Sequence, residues 1–180
     1  ARKTQDFYMG SFILSYFTFV AIEKVIEEYG PTSVIYPDLY KQPLMDWYLL
    51  KKKQLNIKNF EPESITLPTI PNRFVAIIGT IDENEIKKLA KDMKDKINKE
   101  VKNAIDTIMK ELEINLSDTQ KRVLDFQISD FPQIYWVAIP WRKGNNDLLI
   151  NDLEDFFIRQ KLNNWNEFYN FAKNNGEFLP

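Results

Sequence analysis

One hard stop governs this sequence: Gly30-Pro31, at the end of a long apolar stripe. Upstream of it Phe12, Ile13, Tyr16, Phe17, Val20, Ala21, Val25 and Ile26 follow three-and-four spacing, the mark of an amphipathic helix buried along a broad face. Gly tolerates the backbone just past a helix end and Pro cannot continue a helix. A core helix must therefore hand over at once to another element. The most apolar part, Ser11 to Ala21, is interrupted by Ser15 and Thr18 and followed by Glu23-Lys24, too short and polar for a membrane span.

Ser33-Val34-Ile35-Tyr36, closed by Pro37, is β-branched and aromatic, long enough for a buried strand and too short for a helix. Tyr40 to Pro71 holds Pro43, Pro62, Pro68 and Pro71 around Lys51-Lys52-Lys53, which predicts a long insertion with at most one short helix, near Leu44 to Lys52. Loops of that length are commonly functional or mobile. Arg73 to Ile78, stopped by Gly79, reads as a central strand. Asp82-Glu83-Asn84-Glu85 resembles a capping box, and behind it Ile86, Leu89, Met93, Ile97, Val101, Ala104, Ile105, Ile108 and Leu112 keep helical spacing. Ile134 to Ile139, between Pro132 and Pro140, has the composition of a third strand, and helices are expected over Leu148 to Leu162 and Trp165 to Ala172.

A strand preceding Ala1 would turn this order into a split β-α-β-β-α-β unit, the ferredoxin-like arrangement with helices on one face of an antiparallel sheet. The expected fold class is α+β. It comprises a ferredoxin-like domain over 1–145, of the kind that hosts both nucleotidyl-transfer palms and RNA-binding modules, that lacks its first strand in this fragment, with an insertion over 40–71 and a C-terminal helical extension over 146–180. The start at Ala1, running straight into Arg2-Lys3-Thr4 without Met or signal-peptide core, reads as a piece of a longer protein.

Lys and Arg total 24 against 26 Asp and Glu, so nucleic acid or an anionic membrane would have to be met by a local basic patch. Cysteine and histidine are both absent. That removes disulfides, thiolate zinc sites, His-metal clusters and Ser-His-Asp triads from these residues, and the missing cysteines fit a reducing, cytoplasmic setting. A palm catalyst needs carboxylates converging on metal ions. Where a tight hairpin would carry them stands the insertion, with only Asp38 and Asp46 at its start and no Gly-Gly-Asp-Asp anywhere. No catalytic residue and no metal ligand is assigned.

Asp38, just beyond a strand end, is either a ligand-facing carboxylate or a turn former after Pro37. Gly10-Ser11 precedes the strongest helical stripe. If the helix starts there, its amides face an anion; otherwise Gly10 allows close packing and Ser11 caps, and a helix already running from Ala1 removes the cap altogether. Lys51-Lys52-Lys53 is either a phosphate-backbone contact or a solvated face. Trp136, Trp141 and Trp165 read as core or interface.

Several segments together resemble the large subunit of type III-B CRISPR effector complexes, the CRISPR polymerase family of the Cmr branch. They are Ala1-Arg2-Lys3-Thr4-Gln5-Asp6 with Gly10-Ser11-Phe12-Ile13-Leu14-Ser15-Tyr16, Tyr36-Pro37-Asp38-Leu39 with Gln42-Pro43-Leu44-Met45-Asp46-Trp47, Leu67-Pro68-Thr69-Ile70-Pro71-Asn72-Arg73-Phe74, and Tyr135 to Trp141. The sequence departs from the family pattern at Gln5, where a basic residue is usual, and at Tyr8, where Trp is usual. The resemblance implies that a strand precedes Ala1 and that this is the first of two palms. It further implies that the second palm carries the Gly-Gly-Asp-Asp motif and, in active members, makes cyclic oligoadenylate from ATP. On that basis Lys3, Gly10, Ser11 and Asp38 are the expected nucleotide-binding residues. ATP would be the cofactor, with its divalent metal held by the other palm. The partners would be the catalytic palm and other domains of the same large subunit, other Cmr-complex subunits, and, indirectly, guide and target RNA, with no membrane.

Overall fold

The structure is a computed structural model that describes residues 4–131 and 133–140. The chain divides into two compact units, Ala1–Pro132 and Gln133–Pro180. In the first, helix α1 (Thr4–Tyr29) leads through a 3-10 turn (Pro31–Ser33) into strand β1 (Val34–Tyr36). Helix α2 (Pro43–Lys51), a second 3-10 turn (Pro62–Thr66) and strand β2 (Val75–Ala76) follow, then helices α3 (Glu83–Glu111) and α4 (Asp118–Asp130). The expected α+β class holds at this level.

The Gly30-Pro31 stop works as its chemistry requires. Gly30 has a φ of 85°, which side chains disfavour, and its N–H closes the last turn of α1 on the Ile26 carbonyl at 2.9 Å. α1 is 26 residues long with a mean hydropathy of 1.5 over its most apolar window, enough by length and composition to cross a membrane. Here it is the core helix: Phe19, Ile22 and Val25 are buried against α2 and α3 residues, and a buried carboxylate, Glu23, lies among them.

β1 and β2 pair antiparallel, with Val34 opposite Ala76, Tyr36 opposite Val75, and an irregularity between. The Ile77 N–H donates to the Ser33 carbonyl at 2.7 Å, extending the ladder by one bond. The expected central strand over Arg73 to Ile78 is thus cut to two residues. Its partner offers little more, because Pro37 ends β1 and has no N–H to add. Ile134 to Ile139 forms no strand. Its composition suits a pleated surface, but a strand exists only where a neighbour supplies the ladder. The helical extension expected over 146–180 lies outside the described residues.

The insertion is more structured than its prolines suggest. α2 carries Leu44, Met45 and Tyr48 into the core, and Leu39 and Ile70 join them from its two ends. Pro43 occupies the first turn of α2, where its missing N–H costs nothing. α3 begins at Asp82, whose side chain accepts from the Asn84 N–H at 2.8 Å, but only half of the expected capping box forms. The Asp82 N–H already donates to Thr80 Oγ1 at 3.1 Å, leaving Glu85 nothing to reach back for. α4 was not expected. It opens with a full capping box, Ser117 and Gln120 bonding each other's backbone amides, and Lys102 of α3 pairs with its Asp125 at 2.9 Å.

Candidate functional site

Glu23 is the polar centre of the core. Its side chain is 3% exposed and lies 2.8 Å from Lys52 Nζ and 3.0 Å from Lys96 Nζ, so one carboxylate ties α1 to both α2 and α3. Lys96 also reaches Glu27 at 3.2 Å. Burial opposes the Lys52 charge, yet the hydrogen bond to Glu23 and the surrounding carboxylates hold its ammonium above the ordinary lysine range. Tyr16 donates to Glu100 at 3.2 Å. Burial first, then the negative Glu100, pushes its phenol well above the usual tyrosine value. These groups are fully occupied with one another, which is the condition under which buried charge is tolerated.

The family-like segments divide into inward and outward residues. Ser15 is buried and accepts from the Ile70 N–H at 2.9 Å, which joins the first segment to Leu67–Phe74. Tyr8 adds a bond from its hydroxyl to the Thr66 carbonyl at 2.9 Å. Leu39, Leu44 and Met45 of the middle segment pack in the same core. Burial pushes the Asp46 carboxyl above its ordinary range, and Lys41 counteracts this. Much of this sequence pattern therefore builds the fold.

Gly10, Ser11 and Asp38 face outward. α1 begins at Thr4, so Gly10 and Ser11 lie inside the helix and their amides are not the exposed donors of a helix start. That corrects the expectation of an anion cradle or a Ser11 cap. Close internal packing does not explain Gly10 either: a Cβ added there would meet nothing within 4 Å. Phe7, Met9 and Leu14 are exposed around it, Phe7 at 67%, and an open hollow is lined by Thr4, Gln5, Asp6, Tyr8 and Met9. Asp38 sits on a separate element, in the turn after β1, where its carboxylate accepts from the Tyr40 N–H at 2.9 Å. This is the Asx geometry of a turn former. Lys3 lies outside the described residues.

Of the basic run, Lys52 is committed to Glu23, while Lys52 and Lys53 stand 6.0 and 5.5 Å from the Tyr48 ring centroid. Glu23 itself was not among the residues singled out by sequence. Its signal is an acid between Ile22 and Val25 on an otherwise apolar stripe, which predicts a buried partner. α4 had a signal too, the Ser117-x-x-Gln120 spacing. Among the described residues no group of three or more His, Cys, Asp or Glu gathers as a metal site.

Comparison with known proteins gives these features a context. The family model described as CRISPR-associated protein Cmr2, N-terminal, matches residues 1–110. The CRISPR system Cmr subunit Cmr2 of Pyrococcus furiosus is 26% identical over 147 residues, covering 78% of this chain and 16% of that protein. The chain thus spans about a sixth of the length of this curated relative. With more than half of its residues matched, the chain belongs to the Cmr2 N-terminal family, the N-terminal region of the large subunit of type III-B CRISPR effector complexes.

Proposed function

We propose that this region is the first, palm-like domain of its effector subunit, non-catalytic in itself. It supplies one wall of a composite ATP site and an assembly surface for a catalytic palm elsewhere in the same polypeptide. The carrying observation is Gly10, which occupies a helix interior with open space above it. Such a glycine costs roughly 0.5–1 kcal/mol relative to Ala and is the residue of choice where a ligand or another backbone comes close. Among the described residues nothing comes within 4 Å of a Cβ placed there. On this reading ATP lies against the Gly10–Ser11 face, with the Ser11 hydroxyl as a hydrogen-bonding group and Lys3 supplying positive charge to the phosphates. Asp38 accepts from ribose or base, and the divalent metal belongs to the other palm. The setting is cytoplasmic, with other Cmr subunits as neighbours and guide and target RNA reached through them.

The antiparallel β1–β2 pair, preceded by α1 and followed by α3, supports reading it as the middle of a split β-α-β-β-α-β unit. In that arrangement strands joined by a helix have another strand between them. The free edge of β2 would take the first strand, and the strand expected over 134–139 would need the same neighbour. On this reading 134–139 pairs only where that strand is present. ATP titration of the intact large subunit tests the site: Lys3→Ala and Ser11→Ala are each expected to weaken binding several-fold. Unchanged affinity in both variants removes the assignment.

A second reading has an observation of its own. The exposed Phe7, Met9 and Leu14 suit a protein cover better than a polyphosphate, which favours a purely structural interface between domains or subunits. An RNA-binding role for Lys51-Lys52-Lys53 is weakened by the commitment of Lys52 to Glu23. Crosslinks from guide RNA concentrated within Tyr40 to Pro71 would restore it.

A further inference from the structure

The insertion is fastened to α1 by contacts of unequal strength. Lys52 and Lys96 share the Glu23 carboxylate, so departure of Lys52 leaves Glu23 still paired. Departure of Glu23 would leave Lys52 without its carboxylate and Lys96 with Glu27 alone. Lys52 is the outer partner, its side chain 42% exposed against 21% for Lys96, and it stands between two further lysines whose like charge favours its release. The apolar fastening is equally divided. Leu44, Met45 and Tyr48 bury well, and the Tyr48 ring meets Phe19 edge-on at 6.3 Å between centroids. Yet Tyr48 Oη is buried without a protein hydrogen-bond partner, a cost that the closed position bears and an open one would relieve.

The connection between these contacts and the rest is slack. Residues 51–56 are all exposed, and the Leu55 N–H to the Leu49 carbonyl at 3.0 Å ties them only to α2 itself, so little holds the segment between α2 and the second 3-10 turn to the rest. Meanwhile α1 and α3 meet directly, through Tyr16–Glu100, Lys96–Glu27 and the apolar contacts of Ile22, Val25 and Leu89. The polar contacts of that pair, Tyr16–Glu100 and Lys96–Glu27, are made without the insertion.

We infer that residues 39–71 form a strap that opens from α1 as a unit while the α1–α3 pair stays folded, with Lys52–Glu23 as its catch. Opening uncovers Phe19, Ser15 and Glu23, and so extends the exposed half of α1 into its middle. The strap thereby regulates how much of α1 is presented to a neighbour. The inference stands on the packing alone and does not need the nucleotide reading.

Amide hydrogen exchange on the intact protein tests it, comparing amides of α2 and of Ile70 with those of α1 and α3. Lys52→Met removes the catch and should speed exchange in the strap on the order of tenfold while α1 and α3 are unchanged. Tyr48→Phe removes the orphaned hydroxyl and keeps the ring, so it should slow strap exchange. Acceleration spread equally over α1 and α3, no change in the strap with Lys52→Met, or faster exchange with Tyr48→Phe would each overturn the strap.

Discussion

The two halves of α1 are alike in composition and opposite in circumstance. From Ser15 to Ile26 the helix is the centre of the core, with Phe19 and Ile22 fully buried and Glu23 shared by two lysines. From Phe7 to Leu14 it is just as apolar, yet Phe7, Met9, Ile13 and Leu14 are exposed. The inner half is explained by what this chain covers it with. The outer half carries Gly10, over which no described residue lies, and its exposed apolar side chains suit a cover from outside the described residues. Hydrophobic spacing alone therefore identifies a face to be buried without saying which molecule buries it.

Paired substitutions turn this contrast into numbers, and the largest gap is between two phenylalanines. Phe19→Ala should cost about 3–5 kcal/mol in denaturant unfolding, as for other fully buried aromatics. Phe7→Ala should stay within about 0.5 kcal/mol, as exposed positions do. A comparable loss at Phe7 would mean that the outer half is already covered. Two serines one helical turn apart give a smaller version. Ser15→Ala strands the Ile70 N–H and should cost ~1–3 kcal/mol, whereas Ser11→Ala touches no internal bond and should be near neutral. The smallest expected effect has the opposite sign: Gly10→Ala should stabilise the helix by roughly 0.5–1 kcal/mol, a gain seen as a higher Tm.

The same contrast separates what was legible in the residues from what was not. α1, α2 and α3 were readable because helical spacing, Gly30-Pro31 and Asp82 are local signals. β1 was readable as a β-branched run, but the length of β2 was not, since it depends on how far the Pro37-terminated partner extends. The segment over 134–139 failed for the same reason: composition sets suitability for a sheet, and pairing decides. The insertion reads from its prolines as a long loop with at most one short helix near Leu44 to Lys52, and that helix is α2; what the residues did not show is that Leu39, Leu44, Met45, Tyr48 and Ile70 are core residues. Their partners lie on α1, beyond the reach of a local pattern. At the candidate site, the outward position of Asp38 and its turn geometry were foreseeable from Pro37-Asp38. The loss of the helix-start amides at Gly10 was not, because it turned on where α1 begins.

The most direct test of the exposed half as a contact surface is ATP binding by the intact large subunit carrying Gly10→Leu, measured beside its Tm. A Cβ at position 10 meets nothing within 4 Å among the described residues, so folding should be preserved or improved. If ATP lies against Gly10, its affinity should fall by about tenfold or more, equivalent to at least ~1.4 kcal/mol, with Tm unchanged or raised. An ATP affinity equal to that of the unsubstituted protein, at equal or higher Tm, would contradict the assignment of this face to the nucleotide.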